Sequence, residues 1–189
     1  MIGAAVVACT LALAPGVDTP DSAAAVLERA SYHVRSTNPR TQAWIQAGAE
    51  GSPTFRELLN RLSDSDLIVY VETVDRLTGV YGQTYFVMAA ASVRYVRIEV
   101  VPVGNLTEMI ALIGHELQHA VEIAGAPSVR DRQSLARFYL RMAENSNAGG
   151  RYDSAEARLM EDRVKRELIY TGYRSATGDY AHAHFKQDD

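Results

Sequence analysis

The chain has 189 residues, of which 47% are hydrophobic and 22% are charged, and its formal net charge at pH 7 is −4. This length and composition are typical of one globular domain that buries a sizeable core. The acidic balance and the lack of a basic block exclude the usual electrostatic signature of nucleic-acid binding, so no nucleic-acid partner is expected.

The N-terminus is apolar. Residues 2–14 carry no charged side chain, are too few to span a membrane, and match the apolar region of a secretory signal. We predict a signal-like segment over 1–14, a linker over 15–22, and export to the periplasm or the medium of a bacterium. The alternative is a buried N-terminal strand or helix. A lipid anchor at Cys9, the only cysteine, is a less favoured alternative because few residues precede it.

The pattern of apolar residues then predicts helices followed by strands. Residues 23–34 favour a short helix, alone or running into a strand, and further helices are expected over 40–47 and after a Thr54 cap. Alternation of apolar and polar residues predicts three strands, at 67–74, 84–89 and 95–101. The short connection between the last two strands favours antiparallel pairing.

A long helix with a metal-binding motif comes next. Asn105 is a good N-cap and Gly125 a stop signal, so a helix is predicted over 105–124. It contains the HExxH sequence His115-Glu116-Leu117-Gln118-His119. Residues four apart share a helix face, so the two histidines can hold one metal ion and Glu116 can reach a water bound to it. The alternative is a core helix with two satisfied histidines, less favoured because burying these groups unpaired is costly.

Two more helices are predicted, at 129–145 and 153–170, and a flexible tail at 179–189. The chain is therefore expected to form a single domain over 23–178, of the α+β class.

This order of elements around HExxH resembles the zincin metallopeptidases. The resemblance implies a small, mostly antiparallel sheet packed against the HExxH helix, with further helices after it. It also implies Zn²⁺ as the cofactor, His115 and His119 as zinc ligands, and Glu116 as general base and proton shuttle. The strand at 95–101 would be the candidate for pairing with an extended substrate.

The chain departs from the best-known zincin subfamilies. A metzincin would have glycine at position 122 and histidine at position 125, where this chain has Glu122 and Gly125. A thermolysin-like gluzincin would have aspartate four residues after its glutamate ligand, whereas Met160 follows Glu156 at that spacing. We therefore assign no subfamily.

A catalytic zinc needs three protein ligands, so one must come from outside the motif. Asp153 and Glu156 lie on one face of the last predicted helix, beside a glycine-rich loop, and either can be the third ligand. Their alternative role is a capping box, with Asp153 as N-cap and Glu156 at N3. Five residues are less favoured as ligands: His33, Glu161, Asp162, His182 and His184.

Two supporting roles are also expected. Glu122 lies roughly 4.5 Å beyond His119 along the helix axis, so we predict that it hydrogen-bonds a ligating histidine rather than the metal. Stabilising an oxyanion needs an electrophilic side chain, for which Tyr152 is the first choice and Tyr170 and Tyr173 are alternatives.

The leading hypothesis is a zinc-dependent metallohydrolase, most naturally a peptidase acting on a peptide or protein substrate. The alternative is a non-catalytic zincin-like domain, structural or binding, stabilised by a metal. The first predicts hydrolysis that depends on Glu116, and the second predicts a metal whose loss unfolds the domain.

Overall fold

The computed structural model describes residues 22–145 and 153–172. Within them the chain forms six helices and four strands, which confirms the α+β class. In chain order these are α1 (Ala23–Ala30), β1 (Val34–Arg35), α2 (Pro39–Gly51), α3 (Pro53–Ser63), β2 (Leu67–Thr73), β3 (Gly82–Ala89), β4 (Arg94–Val100), α4 (Leu106–Ala124), α5 (Arg132–Asn145) and α6 (Ala155–Tyr170). The predicted signal-like segment with Cys9, nearly all of the linker and the predicted tail lie outside the described residues. In the described ranges, every helix is too short or too polar to cross a membrane.

Side-chain caps determine where the helices begin. Asn105 accepts the backbone N–H of Glu108 and starts α4 at the predicted place. Ser52, rather than the predicted Thr54, caps α3. Thr54 instead donates its hydroxyl to Glu167 of α6 at 2.7 Å, so a side chain expected to act locally ties two distant helices together.

The four strands form one sheet in the order β1-β2-β4-β3. Strand β1 is parallel to β2, β2 is parallel to β4, and β3 is antiparallel to β4. The antiparallel pairing predicted for the last two strands is confirmed, but the prediction of a mostly antiparallel sheet is wrong, since two of the three pairings are parallel. The connection at 74–81 carries the chain past the place of β4, so β3 forms the edge and β4 returns beside β2.

Strand β4 lies in the interior of the sheet. Because it pairs with β2 on one side and β3 on the other, its backbone groups are already used. The expectation that the strand at 95–101 pairs with an extended substrate is therefore wrong. The sheet edge next to α4 is that of β3.

The motif helix α4 lies at the centre of the molecule. It packs against the inner face of the sheet, which carries Val69, Val96 and Ile98, and against α2, α3 and α6. Gly114 permits the close approach of α6, because a Cβ at this position would lie 3.2 Å from Cγ2 of Val164. This packing brings the start of α6 next to the motif histidines.

Candidate metal centre

His115 and His119 lie one turn apart on α4, and their ring centroids are 5.0 Å apart. The His119 side chain is 6% exposed and that of His115 is 12% exposed. Both rings meet the chain segment that leads into α6. The sequence predicts that these two side chains share one helix face. The structure shows in addition which residues face them.

The carboxylate of Asp153 completes a group of three possible ligands. Ligand atoms of His115, His119 and Asp153 all lie within 4.8 Å of one another, and Oδ1 of Asp153 is 3.3 Å from Nε2 of His115. This Oδ1 is buried and makes no hydrogen bond with any described residue, whereas Oδ2 accepts from Nε of Arg158 at 2.7 Å. Since a buried carboxylate oxygen that accepts no hydrogen bond is costly, its position beside Nε2 of His115 favours a bound cation.

Ser154, not Asp153, is the N-cap of α6. Its Oγ accepts the backbone N–H of Ala157 at 2.9 Å, and the helix begins at Ala155. The alternative role considered for Asp153, the N-cap of a capping box, is therefore wrong, and its carboxylate turns toward α4 instead. Glu156, the other predicted ligand, is exposed on α6 and does not belong to the group of three.

Each histidine is oriented by a carboxylate. Nδ1 of His119 is 2.9 Å from Oε2 of Glu122, which is the contact predicted from the sequence. Nδ1 of His115 is 2.9 Å from Oε2 of Glu161, a residue considered only as a less favoured ligand. When Nδ1–H donates to a carboxylate, the lone pair on Nε2 is presented to a metal. In that tautomer each imidazole can bind a cation through Nε2, and Nε2 of His115 faces Asp153.

The pKa shifts indicate ionised carboxylates around the two imidazoles. The hydrogen bond from His115 lowers the pKa of Glu161, although partial burial opposes it. Burial raises the pKa of Glu122, but the hydrogen bonds from His119 and Ser154 outweigh it, and the net shift is downward. Burial lowers the pKa of His115, yet Glu161 and the nearby carboxylates raise it overall. This concentration of negative charge favours a cation at the site.

Glu122 also connects α4 to the start of α6. Its Oε1 accepts from Oγ of Ser154 at 2.5 Å and from Nε2 of Gln118 at 3.3 Å. Ser154 therefore caps α6 and at the same time fastens it to α4. This double contact fixes the neighbouring Asp153 relative to His119.

The motif glutamate lies between α4 and β3. Glu116 is 4% exposed, and its Oε2 accepts from Oγ1 of Thr84 at 2.8 Å. Gly82 lies against the same carboxylate, since a Cβ there would be 2.5 Å from Oε1. Burial raises the pKa of Glu116, while the two histidines and the Thr84 hydroxyl oppose the rise. A carboxylate with a raised pKa is a better proton acceptor.

Tyr139 of α5 is a site residue that the sequence did not single out. Its ring meets the His119 ring edge-on, with centroids 5.7 Å apart. Burial and the charges of Glu116 and Glu122 raise its pKa well above the ordinary value, so the phenol stays protonated. Its helical spacing with other apolar residues made it look like an ordinary core residue.

None of the other predicted candidates that the structure describes belongs to the group of three. Tyr170 is 93% exposed, and Asp162 is exposed on α6. Nδ1 of His33 is 2.8 Å from the backbone oxygen of Leu67, so this histidine is engaged by the sheet. Four candidates fall outside the described residues: Tyr152, Tyr173, His182 and His184.

Comparison of the chain with known protein families, with curated proteins and with solved structures finds no match. The resemblance to zincins therefore stays a prediction from the HExxH sequence and the order of the elements. The donor set itself, two imidazoles and one carboxylate, is one that zinc accepts in hydrolytic sites.

Removing either orienting carboxylate is expected to weaken metal binding. In Glu122→Gln and Glu161→Gln the three proposed ligands remain, but the charged acceptor of one histidine becomes a neutral amide oxygen, so we expect zinc affinity to fall about 10- to 100-fold. Competition with a chromophoric chelator measures this. Glu156→Gln, on the exposed side of α6, is the matched control and should bind zinc like the wild type. Unchanged affinity in both site variants would contradict the orienting role.

Proposed function

We propose that this chain is a zinc-dependent metallohydrolase, most naturally a peptidase. The observation that carries the proposal is the convergence of three donors among the described residues. Ligand atoms of His115, His119 and Asp153 lie within 4.8 Å of one another, and Oδ1 of Asp153 accepts no hydrogen bond. Three protein ligands leave the fourth position that a catalytic zinc keeps open.

Zinc bound by these ligands would supply the Lewis acidity that makes a water molecule nucleophilic near neutral pH. The chain's own residues perform the proton transfers. Glu116 accepts the proton of the attacking water and passes it to the leaving amine, while the Thr84 hydroxyl keeps the carboxylate in place. We assign the electrophilic role, for which Tyr152 was the sequence choice, to Tyr139, the described tyrosine whose ring contacts a site histidine.

The sheet edge beside this site suits an extended peptide. The outer edge of β3 has no neighbouring strand among the described residues, and Gly82 and Thr84 of β3 contact Glu116. A peptide that adds to this edge through main-chain hydrogen bonds would run past Glu116. Peptides or proteins are therefore the proposed substrates.

The second candidate function is a non-catalytic domain held together by its metal. The observation in its favour is the enclosure of Glu116, which is 4% exposed and already bonded to Thr84. Such a domain would bind zinc at the same ligands and lose its fold when the zinc is removed, but it would hydrolyse no peptide.

Zinc content of the purified full chain tests the site. We expect near one equivalent in the wild type, and little or none in His119→Ala and Asp153→Ala, because each removes one of only three ligands. Glu156→Ala removes a carboxylate from the same helix and should keep its zinc. Zinc retained in Asp153→Ala and lost in Glu156→Ala would transfer the third ligand to Glu156. A stable wild type without zinc would overturn the proposal.

A further inference from the structure

A cavity of about 580 Å³ lies beside the metal centre, between α4, α6 and the loop that follows β4. Its lining includes Val103, Glu108, Leu112, Glu161 and Lys165. Leu112 precedes His115 by three residues and so shares its helix face one turn away. Glu161 is bonded to Nδ1 of His115. The cavity therefore adjoins the metal centre without being part of it.

The charges in this cavity are paired internally. Nζ of Lys165 is 3.1 Å from Oε1 of Glu108, and the two side chains are 44% and 41% exposed. The carboxylate of Glu161 is held by His115. Val103, Ala111 and Leu112 contribute apolar surface to the same walls. An uncharged group that enters the cavity would contact this apolar surface. A charged group would have to separate Glu108 from Lys165 or approach a like charge.

We propose that this cavity receives one side chain of the substrate, next to the bond that is cut, and that the Glu108–Lys165 pair makes it prefer an uncharged side chain. This inference rests on the proposed peptidase function. The position along α4 supports it, since Leu112 lies three residues, about 4.5 Å along the helix axis, from His115, and a side chain next to the reacting group spans a distance of this order.

Removing one member of the pair should change the preference in a defined direction. Lys165→Met leaves two carboxylates in the cavity and should favour a lysine or arginine side chain. Glu108→Gln leaves the ammonium group of Lys165 without that partner and should favour an aspartate or glutamate side chain. One unit charge in contact with another at a partly hydrated position changes binding about 5-fold. We therefore expect shifts of about that size, in opposite directions, in the ratio of basic to acidic side chains accepted.

The test is a peptide library digested by the zinc-loaded full chain, with the cleavage sites read by mass spectrometry. The wild type should select uncharged side chains at one position beside the cleaved bond. In the two single variants, the ratio of basic to acidic side chains accepted should change at that position only. Arg163→Met removes a charge from an exposed position of α6 and should cleave with the wild-type pattern. The double variant Glu108→Gln/Lys165→Met removes both charges and should return to the wild-type preference.

The outcomes separate this inference from the function on which it rests. Cleavage by the wild type with the same side-chain preference in all variants would overturn the role of the cavity and leave the peptidase standing. A wild type that binds zinc and cleaves no member of the library would overturn both. Zinc content is measured for every variant, so that a shift in preference is read only from proteins with an intact metal centre.

Discussion

Glutamine in place of Glu116 is expected to leave about one equivalent of zinc bound and to slow peptide hydrolysis by roughly 10²- to 10⁴-fold, the usual share of general acid–base catalysis. The amide has nearly the same shape as the carboxylate, so its packing against Gly82 is preserved, and its oxygen can still accept from Thr84. Only the proton acceptor is lost. The rate of cleavage of one fixed peptide measures the loss of hydrolysis, and the zinc content of the same protein shows separately whether the metal is retained.

The matched control is Glu156→Gln, the same change at an exposed position of α6, which should hydrolyse the peptide at the wild-type rate. Full activity of Glu116→Gln with zinc bound would contradict the proposed role of Glu116 as general base. If the wild type also fails to hydrolyse any peptide, and removal of zinc unfolds it, the non-catalytic domain becomes the better description.

Sequence reasoning succeeds here where the signal is local to one helix. The cap at Asn105 and the stop at Gly125 delimit α4, which the structure places at Leu106–Ala124. The 3.6-residue period then determines that His115 and His119 share a face and that Glu122 follows one turn later, within reach of Nδ1 of His119. All of these relations are set by the helix geometry alone.

The third donor could not be chosen in this way. Asp153 and Ser154 are both good N-caps, and the local sequence does not say which one starts α6. Because Ser154 is the cap and also donates to Glu122, Asp153 turns to the histidines. The contact of Glu161 with His115 depends on the close packing of α6 on α4, and its charged neighbours in the sequence made it resemble an ordinary solvated residue.

The order of the strands was equally beyond local reasoning. Polar and apolar residues alternate along β4 as the sequence pattern implies, since Arg97 and Glu99 are half-buried and Val96, Ile98 and Val100 are buried. Alternation states which face a side chain occupies, but not which strand lies next to which. The path of the 74–81 connection decides which strands are neighbours. It places the strand at 95–101 in the interior of the sheet rather than at its edge.

Arg94 is fully buried at the start of β4 and is the residue for which we expect the largest loss of stability. Its guanidinium forms two hydrogen bonds with Asp66, at 2.6 and 2.7 Å. It also donates to the backbone oxygens of Ile123 and Ala124 at the end of α4 and of two residues just beyond it, Ala126 and Val129. The last carbonyls of a helix have no partner within the helix and carry partial negative charge, so one arginine satisfies the end of the motif helix.

Arg94→Met is therefore expected to lower the free energy of unfolding by about 3 kcal/mol, the lower end of the range for breaking a buried ion pair. The lower end applies because Asp66 is 35% exposed, so water can replace part of its lost hydrogen bonds to Arg94. For a domain of this size that corresponds to a fall in Tm of roughly 6 to 12 °C, measured by thermal unfolding at a fixed zinc concentration.

Arg97→Met is the matched control. Arg97 pairs with Glu72 at 3.3 Å, but both side chains are about a third exposed, and such pairs contribute about 1 kcal/mol or less. Equal losses in the two variants would contradict the role of Arg94, since only Arg94 binds the end of the helix that carries His115 and His119.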